Sequence, residues 1–248
     1  MNVHEFFKEY RNFSLNFDRL HRWYLGTLLS YDHSIDLLTQ SLPTTPYREK
    51  IYFKEELYQK EHLIQHDKRD LLKKFQKGYQ QFLDEMVLIR LVTLLEVFLV
   101  DMVKTIFFYD KSLFYEKGKY ELNISEFLLK DKFSLETDYI NKLTSKLGRS
   151  GFEEIEKLYL KKFNINFKNF SYENLYNYNY TGLKQLHDTR HLIIHKLGKT
   201  DDKYRNDYNY SKKKISLSTE KVFYYLELIA SFTKYIKKEL ETKILKIT

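Results

Sequence analysis

The sequence predicts an all-α protein: a multi-helix up-down bundle with an N-terminal helical extension and an insertion of loop and short helix. Two observations lead there. Seven glycines and two prolines in 248 residues leave little material for turn-rich β structure. Through most of the chain, apolar residues recur at helical rather than alternating spacing.

Residues 3–38 read as a helix, closed by the proline pair in SLPTTPYREK at 41–50. This divides the chain into an N-terminal helical segment, 1–46, and a helical domain, 47–248, with an insertion at about 109–180. The two are expected to form one compact unit. From about 48 to 108, Leu57, Ile64, Leu71, Phe75, Phe82 and Ile89 recur at near-heptad spacing. The pattern fits one long helix or two, broken near His66 and Asp67, in a bundle or a coiled-coil arm. The apolar stretch 86–108 is interrupted by Arg90, Glu96, Asp101 and Lys104, which predicts a buried helix and no membrane span.

Residues 109–120 read as a loop, 122–147 as one or two short helices ending at Gly148, and 151–163 as another helix. The segment NINFKNFSYENLYNYNY, 164–180, has no clear period. It is a packed loop, a set of short strands, or a surface on which bases stack. A helix at 181–197 follows, then the charged connector KTDDKYRNDYNYSKKK. A closing amphipathic helix spans about 218–243, with Val222, Leu226, Ile229, Ile236 and Leu240 on one face.

The chain has no cysteine, which excludes disulfides and thiolate chemistry and fits a reducing cytosol. Its first residues, MNVHEFFKEYRNF, lack the apolar core of a signal peptide, so a cytoplasmic protein is expected. The net charge of +8 suits a polyanionic partner such as RNA or DNA. Abundant Lys, Asn, Tyr, Phe and Ile are also what AT-rich coding produces.

The chemistry is concentrated in LHDTRHLIIHKLGKTDDKY, 186–204. On a helical projection Leu183, Leu186, Ile193, Ile194 and Leu197 form an apolar stripe, and Arg190 projects from its middle. A guanidinium cannot shed its proton, so that position calls for a partner or ligand. His187, His191 and His195 stand at successive i,i+4 positions. A zinc protease would need HExxH, and HLIIH has Leu in place of the Glu; His62 and His66 repeat the spacing, again without the acid. The expectation is therefore no metal and no cofactor, with a metal hydrolase using the histidine series as a third reading.

Arg190 and His195 lie roughly 140° apart on one helix and are not direct neighbours on one face, but they can line one groove if the helix crosses a second copy of itself. There Arg190 would hold a phosphate through its planar fork, and neutral His195 would take a proton from a ribose 2′-OH. The 2′-oxygen then attacks phosphorus, and a donor protonates the leaving 5′-oxygen.

Arg190, the polar His191, three residues and then His195 resemble the motif of ribonucleases in the HEPN superfamily. The context is also similar: a late helix, then Gly198 and DDKY, then an amphipathic helix. TLLEVFLVDMV, 93–103, resembles an earlier core helix of one bacterial branch. The likeness covers roughly 85–108 and 181–243. It implies a homodimer with a composite active site and metal-independent endoribonuclease activity on RNA, in a toxin–antitoxin or antiphage (antiviral defence) setting with an antitoxin or other partner. Some members only bind RNA or proteins, which is the alternative reading here. Some family toxins carry a Tyr two residues after the His that a partner nucleotidyltransferase modifies. This chain has Leu197 there, which points away from such silencing.

Three further roles are expected. Glu96 lies toward the apolar side of its helix and orients Arg190, or else bonds to backbone or solvent. His191 positions the phosphate, donates a proton, or is structural at the dimer seam. Lys196 and Lys199 extend the positive surface toward an RNA backbone, or are solvated like the lysines at 212–214.

Overall fold

The computed structural model describes residues 3–40, 49–54, 61–66, 68–114 and 130–246. It is mostly helical. Helix α1 (Val3–Gln40) buries a single stripe, Phe13, Leu20 and Tyr24, at the i, i+7, i+11 spacing that keeps side chains on one face. Two short strands follow, β1 (Glu49–Lys54) and β2 (Glu61–His66), paired antiparallel with Ile51 opposite Ile64.

These strands correct the helical expectation for the start of 48–108. Ile51, Tyr52 and Phe53 are β-branched or aromatic, types that favour a strand. Ile64, one of the near-heptad positions, is in β2 and not on a helix. Leu57 and the proposed boundary at 46–47 lie outside the described residues. Helix does begin close to the expected break: α2 (Lys68–Lys73) runs through a π-helical stretch, Lys74–Tyr79, into α3 (Gln80–Tyr109). Among the described residues the series does not line one seam: Phe75 packs edge-on against Tyr31 while Phe82 is exposed.

Helix α3 is the axis of the protein. Val87, Leu88, Leu91, Val92, Leu95, Leu99, Met102 and Val103 are fully buried, more than one face can account for, because α3 is packed on several sides. Helix α1 covers one side, with Phe13 and Phe98 ring centroids 4.8 Å apart. The other sides meet α4 (Lys132–Ser150), α6 (Tyr180–Lys196) and α8 (Thr219–Leu240), once these are laid against it.

A 3-10 turn, Lys111–Phe114, leaves α3 within the segment expected to be loop. Asp131 caps α4 by accepting a hydrogen bond from the Ser134 N–H at 2.7 Å. Gly148 does not end this helix, in contrast to the sequence expectation. The helix continues to Ser150, and the chain turns at Gly151, whose φ of 82° suits glycine. Helix α5 (Phe152–Phe163) follows and stops at left-handed Asn164. The aromatic segment then makes a 3-10 turn, Phe167–Asn169, and two short antiparallel strands, β3 (Ser171–Glu173) and β4 (Asn177–Asn179). Of its three readings, short strands and packing hold together: Phe167, Phe170 and Tyr178 are buried in the core.

The charged connector is more ordered than its composition suggests. It contains α7 (Asp202–Asp207), capped by Asp201, and a bridge between Lys199 and Lys214. Helix α8 starts at its Ser218 cap and buries the whole expected face, Val222, Leu226, Ile229, Ile236 and Leu240. A π-helical turn, Glu241–Leu245, ends it. Among the described residues no helix is long and apolar enough to cross a membrane.

Candidate functional site

Helix α6 begins where the β3–β4 hairpin ends, and Asn179 caps it by accepting from the Gly182 N–H at 3.2 Å. It finishes at Leu197, which is left-handed with φ 51°, and Gly198 donates its N–H back to the Leu192 carbonyl at 2.9 Å. That ending corrects the apolar stripe. Leu183, Leu186 and Ile193 are buried as expected, joined by Leu192 and Thr189. Ile194 and Leu197, however, are 40% and 78% exposed. Leu197 has already left the helical path.

Arg190 is half-buried and turned toward α3. Its Nη2 stands 3.9 Å from Glu96 Oε2, and Glu96 Oε1 stands 3.6 Å from His187 Nδ1. One carboxylate on α3 therefore serves two side chains one turn apart on α6. His187 is fixed from its other side by Phe152, the first residue of α5, with ring centroids 3.9 Å apart and planes 20° from parallel. Arg190 Nε and His187 Nε2 are buried with no hydrogen-bond partner among the described residues. Such atoms are costly when left alone, so they mark the place where acceptors and donors are still wanted.

His187 was not assigned a role by sequence reasoning beyond its place in the histidine series. The signal was available: it lies three residues before Arg190 and so shares its face. The series itself does not converge. His187 turns inward to Phe152 and Glu96, whereas His191 and His195 are exposed, with ring centroids 4.8 Å apart. Among the described residues no three His, Cys, Asp or Glu side chains gather as a metal would need.

The remaining basic residues lie at the end of α6. Lys196 Nζ is 2.6 Å from Asp201 Oδ2, an exposed pair that ties the helix end to the connector. The hydrogen bond from Lys196 and the Tyr204 N–H hold the Asp201 carboxyl below its usual range. Lys199 is exposed. The connector is held against α6 from inside as well: the Tyr204 and Thr189 hydroxyls meet at 2.8 Å, and Tyr208 donates to Asp188 Oδ2 at 2.6 Å. Burial and that bond to a carboxylate push the Tyr208 phenol up.

The arrangement offers three things: a half-buried guanidinium on a carboxylate, two adjacent exposed imidazoles, and an apolar rim at Ile194 and Leu197. No protein-family model matches the chain, and no curated protein or solved structure is significantly similar to it.

Proposed function

We propose that the protein is a metal-independent endoribonuclease that acts as a homodimer, with Arg190, His191 and His195 of each copy lining one composite site. The observation that carries this reading is the division of labour on α6. Arg190 is held beside Glu96 with an Nε that lacks an acceptor, while His195 and His191 stand exposed together. The accessible part of the Arg190 side chain, 30% exposed beside Glu96, takes a phosphate oxygen through the planar fork. His195 then removes the ribose 2′-OH proton, the O2′–P bond forms as the P–O5′ bond breaks, and a protonated imidazole gives its proton to the leaving oxygen. The products are a 2′,3′-cyclic phosphate and a 5′-hydroxyl.

Ile194 and Leu197 at the end of α6 and Val97, 51% exposed on α3, are apolar side chains that a second copy would cover. Within the HEPN-like reading, the setting is a toxin–antitoxin or antiphage system in the cytoplasm. The test is incubation with a mixed RNA pool, with and without EDTA, beside His195→Ala. Cleavage that survives EDTA and disappears in the variant is the expected result. RNA binding without cleavage would assign the chain to inert binding modules, and EDTA-sensitive cleavage would overturn the metal-independent chemistry. His195 is exposed, so the variant is expected to keep its fold by circular dichroism.

A further inference from the structure

A cavity of about 280 Å³ opens beside His191, between α6 and the connector. Its walls include Asp188, His191 and Lys196 from α6, and Asp201, Lys203, Tyr204 and Asp207 from the connector and α7. Resting on the ribonuclease reading, we propose that this cavity receives the base next to the scissile phosphate and selects guanine.

The charges leave an acceptor edge. Lys196 is matched by Asp201 at 2.6 Å, so the two largely cancel. Asp188 uses one oxygen, Oδ2, for the Tyr208 hydroxyl, which fixes the carboxylate and leaves Oδ1 for another donor. Asp207 is exposed at the end of α7 and has no cation partner among the described residues. Two carboxylates therefore stand against one cation, Lys203, within a protein of net charge +8.

Such an edge attracts hydrogen-bond donors, and the bases differ in what they offer. Guanine presents N1–H and N2–H side by side, which one carboxylate accepts in two parallel bonds. Its O6, on the same edge, accepts from a lysine. Adenine and cytosine offer one amino group beside an acceptor, and uracil offers one N–H flanked by two carbonyls that a carboxylate repels. Single-stranded bases are read in this way, on their Watson–Crick edge and against an aromatic face. The exposed His191 ring supplies the face. It is also 4.8 Å from His195, which makes this base the neighbour of the phosphate being cut.

The test is binding of fluorescent RNA pentamers that differ only at the central base, with a 2′-deoxy sugar there to prevent cleavage. The guanine pentamer is expected to bind about tenfold tighter than the other three, in the range of one bidentate base contact. Asp207→Asn should erase most of that ratio by weakening the guanine pentamer, while affinity for the other three rises slightly because a negative charge is removed. Asp202→Asn, an exposed α7 acid bonded to Arg205, should raise affinity without changing the ratio. Equal affinity for the four bases, no binding, or a ratio untouched by Asp207→Asn would each overturn the inference. Guanine preference in a protein that cleaves no natural RNA would overturn the cleavage reading and leave the base pocket standing.

Discussion

His187 lies flat on Phe152, with 3.9 Å between ring centroids, and presents its Nδ1 to Glu96 at 3.6 Å. The same carboxylate faces Arg190, so stacking at one end of the group restrains the guanidinium at the other. Glu96→Gln keeps the shape and removes the charge. The variant is expected to fold normally by circular dichroism and to cleave RNA about tenfold more slowly, equivalent to about 1.4 kcal/mol of barrier. Full activity and full stability in Glu96→Gln would show that the carboxylate does not orient Arg190.

A second carboxylate of α3 makes stability depend on pH. Asp84 is buried and accepts the Tyr24 hydroxyl at 2.6 Å, joining α1 to α3. Burial raises its pKa; the Tyr24 bond works the other way and loses, and Glu85 adds to the rise. Between the ordinary carboxylate value and this raised value, the folded protein holds a proton that the unfolded chain has released. Unfolding free energy therefore falls as pH climbs through that window. Asp84→Asn still accepts from Tyr24 and is expected to lack this decline, so urea titrations of the two proteins should diverge as pH rises. Tyr24→Phe strands a buried acceptor and is expected to cost about 1–3 kcal/mol.

Helix α6 approaches α8 closely at Gly182, where a Cβ would stand 2.5 Å from the Tyr224 hydroxyl and 3.4 Å from Leu228. Gly182→Ala is therefore expected to lower stability by about 1–3 kcal/mol despite alanine's better helix propensity. Gly182→Ala combined with Tyr224→Phe should recover part of the loss, measured by thermal unfolding. A Gly182→Ala protein as stable as the parent would mean that Tyr224 swings aside at no cost.

How much of this was legible in the sequence depends on what kind of fact is asked for. The buried face of α8 was readable residue by residue, because a single core side imposes a single helical period on Val222, Leu226 and Ile229. The hairpin β1–β2 was not. Ile64 happens to fall on the near-heptad series, and spacing alone does not separate a short apolar strand from a turn of helix. Exposure of Ile194 and Leu197 was hidden for another reason: apolar spacing does not show that the chain leaves the helix at Leu197, or which apolar positions a neighbour covers. Arg190, His191 and His195 were found by residue type and spacing. The meeting of Glu96 with His187, ninety-one positions apart, depends on how α3 and α6 cross.

Asn179 is at once the last residue of β4, paired with Ser171, and the cap of α6. The hairpin thereby sets the angular origin of the helix. One residue inserted between Asn179 and Arg190 would turn everything beyond it by about 100°. His191 and His195 would swing off their outward bearing, and Leu192 and Ile193 would lose theirs toward α3. An insertion in the hairpin tip, 174–176, leaves that origin untouched. The small sheet thus works as the dial mark against which the buried and outward bearings of α6 are registered.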